Sequence, residues 1–140
     1  MQTRLTERFN LEMPIVLAPM AGATGGRLAA AVSKAGGLGL IGGGYCDAGW
    51  IENEFAQAGN VAVGCGFITW CLSDALLASV LARKPQAIFL SFGDPMPFSP
   101  AIHAAAVPLI CQVQTLKDAR RAVEATMTRN GTPDRRIVRR

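Results

Sequence analysis

From Pro14 onward, short apolar runs alternate with amphipathic stretches, the pattern of strands joined by crossover helices in a parallel sheet. Ile15-Val16-Leu17-Ala18 predicts a first strand, ended by Pro19, and residues 26–35 an Ala-rich helix closed by Gly36-Gly37. Leu38 to Ile41 predicts a second strand, which leads through a Gly42-Gly43-Gly44 loop into a helix over 48–57. Val61 to Cys65 predicts a third, with Asp74 as N-cap of a helix reaching Arg83. Ala87 to Ser91 is the fourth. After a Pro-rich loop over 94–100 come a short helix containing His103, a fifth strand from Leu109 to Val113, and a helix from Lys117 to about Ala125. These strands are apolar nearly throughout, as parallel strands buried on both faces are, which leaves an α/β barrel or a doubly wound sheet.

The alternation then stops. Where another apolar strand is due, Thr128 to Arg140 offers Asn-Gly-Thr-Pro-Asp followed by arginines, and residues 128–140 are read as a disordered basic tail. Charge follows the same division. Residues 1–127 hold nine Lys or Arg and nine Asp or Glu, so the net charge of +4 comes wholly from the last thirteen residues. A short basic end is ordinarily just solvated, and without a basic stripe elsewhere no nucleic-acid partner is expected. No run of apolar residues is long enough for a membrane span. The four cysteines have no CxxC spacing and only His103 could join them, so no metal site is expected. Cys65 and Cys111 sit in apolar runs as small hydrophobes, and with no secretory leader in view a reducing, cytoplasmic setting fits.

Thirteen of the 15 glycines fall between Gly22 and Gly66, concentrated about the first three strands, where backbone must approach something closely. Gly37 to Gly42 spells GxGxxG, but these residues form a strand and its flanks, whereas the dinucleotide fingerprint follows a strand and opens a helix. Ala18-Pro19-Met20-Ala21-Gly22 carries more information. Pro19 stops the strand and the small residues after it leave backbone groups bare at its C-terminal end, where βα folds bind ligands. A plain β-to-α turn would read equally well.

Pro14-Ile15-Val16-Leu17-Ala18-Pro19-Met20-Ala21-Gly22, followed by the stretch from Leu28 to Gly39, resembles the opening of the nitronate monooxygenases, formerly called 2-nitropropane dioxygenases. Gly64 to Trp70 and Phe89 to Asp94 resemble the ends of the third and fourth strands in that family, and the likeness covers roughly residues 9–125. Its opening motif is shared with flavin-dependent enoyl-carrier-protein reductases. The resemblance implies an incomplete (β/α)8 TIM barrel of about five β/α units, with residues 1–127 as the N-terminal part of an FMN-binding barrel. It places the flavin ring beside Ala18, Pro19, Met20, Ala21 and Gly22, with further contacts from Gly66 and Gln112. Gln112 has an alternative role, because a glutamine inside a barrel must be hydrogen-bonded whether or not a cofactor is there.

The implied activity is FMN-dependent oxidation of an alkyl nitronate by molecular oxygen, giving a carbonyl compound and nitrite. In the family the phosphate is held after the seventh and eighth strands, and the catalytic His lies in a Gly-Gly-His motif after the sixth. This sequence has neither. His103 sits in Ala-rich helix surroundings after Pro100 and reads as a packing or surface residue, so no catalytic residue is assigned, and a truncated, impaired enzyme is expected. The alternatives are an enoyl-reductase-like enzyme and an inactive fragment.

Overall fold

Thr3 and Thr6 start the chain's order by capping each other. The Thr6 amide donates to the Thr3 hydroxyl at 3.2 Å and the Thr3 amide to the Thr6 hydroxyl at 2.8 Å, a reciprocal cap on helix α1 (Arg4–Phe9). This helix has no counterpart in the sequence pattern, because six residues are too few to display a period. The computed structural model describes residues 2–126, so the tail assigned to 128–140 lies outside the described residues.

Beyond α1 the chain bends over residues 12–14 and reaches Val16, which meets Leu38 in a single parallel bridge. Leu17 donates to the Leu38 carbonyl and Leu38 to that of Ile15, both at 2.9 Å. The strand predicted over Ile15–Ala18 is thus reduced to one bridge. Pro14 and Pro19 bracket it, and neither can donate to a ladder. Helix α2 (Gly26–Lys34) leads to β1 (Leu40–Gly44), then α3 (Ala48–Ala58), β2 (Gly64–Ile68), a 3-10 turn (Thr69–Cys71) and α4 (Asp74–Leu81). Then come β3 (Ile88–Ser91), α5 (Ser99–Ala104), β4 (Leu109–Cys111) and α6 (Leu116–Thr126). The strands form one parallel sheet in the order β1-β2-β3-β4. This is the α/β architecture of part of a barrel. Among the described residues both sheet edges are open, leaving Ile15 and Val16 exposed at one and Val113 and Leu116 at the other.

Several boundaries differ from the sequence reading, three of them with a local cause. Gly42-Gly43-Gly44, expected as a loop, belongs to β1, because any side chain on Gly42 would strike the Met20 carbonyl of the loop packed against it. The strand expected over Val61–Cys65 begins at Gly64, whose amide reaches the Gly39 carbonyl at 2.8 Å; Val61 is still bonded back to Ala58 of α3. The N-cap of α4 is Ser73, whose hydroxyl accepts from the Leu76 amide at 3.2 Å. Asp74 is instead the first helical residue, where a carboxylate suits the positive end of the dipole.

Alternation divides the sheet's faces. Ile41, Cys65, Phe67, Ile88, Leu90 and Leu109 join the main core with Ala29, Ile51, Leu77, Val80 and Ile102 from the helices. On the other face Leu38, Leu40 and Ala87 form a second cluster with Phe89 and Ile110, packed by Phe9 and Leu11 at the strands' N-terminal ends. Glu54, buried in α3, ties the helical layer together. Its carboxylate accepts the Gly26 amide at the start of α2 at 2.7 Å and the side-chain amide of Gln57 at 3.0 Å. Glu54→Ala is expected to lower the unfolding free energy by about 1–3 kcal/mol, the usual cost of stranding a buried donor, as a drop in urea midpoint. Glu54→Gln, which keeps an acceptor, should lose less.

Candidate functional site

The second face of the sheet changes character along its length. At the N-terminal ends it carries Leu40, Phe89 and Ile110; at the C-terminal ends it carries Gly44, Gly66, Ser91 and Gln112. Removing side chains there opens a cavity of about 500 Å³, within the usual range for small-molecule sites. Its walls bring together Ala18, Pro19, Met20 and Ala21 from the segment before α2, Gly66 from β2 and Gln112 from just past β4. Six of the seven site residues proposed from sequence therefore share one cavity. Gly22 stands outside it, in the turn beyond Ala21, where its φ of +70° suits glycine.

The loop from Met20 to Thr24 is held by Thr24, which is fully buried. The Thr24 hydroxyl accepts the Met20 amide at 2.7 Å and donates to the Met20 carbonyl at 3.0 Å, while the Gly42 amide reaches the Thr24 carbonyl at 2.8 Å. This clip presents Met20 half-exposed at the mouth. Thr24→Val keeps the shape and removes both bonds, and is expected to cost about 1–2 kcal/mol, read as a lower melting temperature. Across the cavity Ser91 donates to the Phe67 carbonyl at 3.0 Å, so its hydroxyl is already committed. Gln112 is exposed, its backbone amide joined to Leu90, and its side-chain amide makes no hydrogen bond among the described residues. The need for a buried partner, raised by the sequence, does not arise, and the amide is available to a ligand.

Thr24, Gly44, Ser91 and Phe92 were missed as site residues. Thr24 had a signal, a hydroxyl four residues past the strand-ending Pro19-Met20 pair, where a side chain can close a turn. Phe92 had none, since nothing local marks its left-handed φ of 55° beyond Gly93 following it. Tyr45 and Trp70 follow the ends of β1 and β2 and are largely exposed. Cys46 and Cys71 are joined as a disulfide beside them, a pairing not proposed from the sequence. His103 lies in α5, away from the cavity lining.

A second hollow, of about 1050 Å³, lies along the β4 edge between the loop after β3 and α6. Arg121 spans it, meeting Asp94 at 2.9 Å. That hydrogen bond, more than the Met96 amide that Asp94 also accepts, holds the Asp94 carboxyl below the ordinary aspartate range. A depressed carboxyl stabilises the fold above its unfolded pKa and loses that contribution as pH falls through the folded value. Asp94→Asn is therefore expected to lower the melting temperature slightly at neutral pH and not at all in strong acid. The effect stays small because both partners are nearly half-exposed.

Residues 2–64, which include the Ala18–Gly22 loop and β1, match the sequence model of the nitronate monooxygenase family. This segment is similar to the nitronate monooxygenases. Proteins of Staphylococcus aureus strains JH9 and Newman, each named a probable nitronate monooxygenase, are 47% identical over 53 residues, which is 38% of this chain and 15% of theirs. The structure is also similar to FabK from Thermotoga maritima, with a TM-score of 0.79 at 28% identity, over 89% of this chain and 42% of FabK. The M276A mutant of FabK gives a TM-score of 0.80 at 27% identity, with 43% of its chain covered. The chain thus spans under half the length of FabK. The segment that matches the family model supplies the first wall of the cavity, and the FabK likeness extends through β4. Among the described residues no helix is long and apolar enough to cross a membrane.

Proposed function

We propose that this chain forms the flavin-ring half of the site in an FMN-dependent oxidoreductase of the nitronate monooxygenase type. In this reading the protein acts in the cytoplasm and oxidises alkyl nitronates with molecular oxygen to carbonyl compounds and nitrite. The observation that carries it is the cavity at the strands' C-terminal ends, whose floor is backbone and whose walls are apolar. Such a slot suits a flat heterocycle. Gly66 and Gly44 let this wall close up, because a Cβ on Gly66 would run into the Pro19 ring and one on Gly44 into Ala21.

When bound, FMN would supply the redox chemistry. The chain's own share is binding and orientation. Ala18 and Ala21 present backbone amides that find no acceptor among the described residues, Gln112 offers a free side-chain amide, and Met20 lays a polarisable thioether against the mouth. None of the side chains lining the cavity titrates near neutrality, so proton transfer must come from a group outside these residues. Without such a group acid–base assistance is absent, a deficit of about 10²- to 10⁴-fold.

The test is to express the full chain, add FMN, and record the visible spectrum alongside a sizing profile. Retained flavin colour on a discrete species, followed by nitronate-dependent nitrite release, supports the reading. Colourless or aggregated protein overturns it for this chain. The FabK likeness over most of the chain favours a second reading, an enoyl-carrier-protein reductase. Nicotinamide-driven reduction of an enoyl thioester without nitrite release would identify it.

A further inference from the structure

Sulfur ties together two loops at the cavity mouth. Cys46 follows Gly44 and Tyr45 at the end of β1, and Cys71 closes the 3-10 turn after β2; the two are bridged with their Cα atoms 6.0 Å apart. Gly44 and Ile68, the last residues of those two strands, both line the cavity. Each sulfur also lies near the same two carbonyls. Cys71 Sγ is 3.1 Å from the Ile68 oxygen and 3.4 Å from that of Gly44, and Cys46 Sγ is 3.7 Å from Gly44 and 3.8 Å from Ile68. If the bridge opened, these carbonyls would accept the two S–H donors, so both oxidation states are accommodated without rebuilding the site.

The other cysteines are set apart. Burial pushes the Cys65 thiol up to about 12 and the Cys111 thiol up to about 11, so neither supplies the thiolate that exchange requires, whereas Cys46 and Cys71 are only partly covered. Cys46 holds a φ of +66°, which a non-glycine residue keeps only where its surroundings enforce it. The bridge is one such enforcement.

We propose that Cys46 and Cys71 form a reversible thiol–disulfide exchange site that latches the two strand-end loops across the cavity mouth. A dithiol reductant breaks the S–S bond; its electron pair and two protons pass to the cysteines, and it leaves as its own disulfide. Oxidised glutathione runs the reverse, taking both protons away on two glutathione thiols as the protein bridge forms. Gly44 and Ile68 line the cavity and lead directly into the bridged loops, so the freedom of this part of the wall follows the state of the bridge. The site does not depend on the flavin reading and can be tested without FMN.

The full chain is equilibrated in glutathione buffers of graded redox poise, labelled with N-ethylmaleimide and mapped by peptide mass spectrometry. Cys46 and Cys71 should appear as one cross-linked peptide under oxidising conditions and both be labelled under reducing ones. Returning the sample to oxidised glutathione should restore the cross-link, with Cys65 unlabelled throughout. Hydrogen exchange over residues 44–46 and 69–72 should be at least about fivefold faster in the reduced form, the lower end of ordinary coupling between sites. A C46S/C71S double variant should exchange at the reduced rate in every buffer, and the wild-type titration stands by itself if that variant does not fold. Thiols that stay free in oxidised glutathione overturn the site. A bridge that forms without slowing exchange in these loops overturns the latch.

Discussion

Replacing Phe67 by alanine is expected to remove about 3–5 kcal/mol of stability, the range for deleting a buried aromatic side chain. Phe67 heads the large side chains of the core and is only 1% exposed. It lies on β2, an interior strand, paired with Gly44 on one side and Leu90 on the other, so no loop can move in to fill the space. Its ring packs with the helical layer while its carbonyl takes the Ser91 hydroxyl, and loss of the ring disturbs both. Against a typical domain stability of about 5–15 kcal/mol, that is a large fraction for a sheet with two open edges. The measurement is urea denaturation followed by circular dichroism. A fall in midpoint at constant slope is the expected result, and Phe67→Leu, which keeps much of the volume, should lie between. A loss below about 1 kcal/mol would mean that the sheet and helices do not pack as described.

Much of this architecture is legible in the sequence because parallel strands and their crossover helices differ so sharply in pattern. Helices predicted over 26–35 and 48–57 appear as Gly26–Lys34 and Ala48–Ala58, and the strands expected at Ala87 and Leu109 appear at Ile88 and Leu109. Where the first two strands were misread, glycine or proline was the cause. Gly42 to Gly44 looks like a loop to any rule based on side-chain preference, yet glycine is required there by a neighbour 22 residues earlier, the Met20 carbonyl. Pro14 and Pro19 left a hydrophobic run with too few donors to make a full strand. Such long-range steric demands leave no local trace.

The site was legible to a different degree. Ala18, Pro19, Met20 and Ala21 are contiguous, and a small-residue run after a strand is a recognisable invitation to a ligand. Gly66 and Gln112 could be added only through resemblance, because their place in the wall depends on alternation along two strands and on the register between β2, β3 and β4. The Cys46–Cys71 pairing was hidden for a similar reason: it needs β1 and β2 to be adjacent and to end level with one another, so that loops 25 residues apart meet.

Gly66→Ala is expected to abolish most flavin affinity while leaving a folded chain. The added Cβ would meet the Cβ and Cγ of Pro19, a ring with no rotamer by which to withdraw, and comes within 3.4 Å of the Phe89 Cβ. Relief requires Pro19 and the loop clipped by Thr24 to shift, which reshapes the wall of the space assigned to the flavin ring. Such overpacking costs about 1–3 kcal/mol. Drawn from the bound state, that is roughly a five- to hundredfold weaker dissociation constant, read by flavin fluorescence titration. Gly64→Ala is the control, since Gly64 lies on the same strand and face but its Cβ would meet the Leu40 side chain and Ala87 backbone at the other end. It should lower stability by a similar amount without a selective loss of FMN. If both variants weaken FMN in proportion to their loss of stability, the cavity is only a by-product of the fold, and the flavin reading loses its main support. If Gly66→Ala alone weakens FMN, the ring binds in the cavity that Pro19 and Gly66 line.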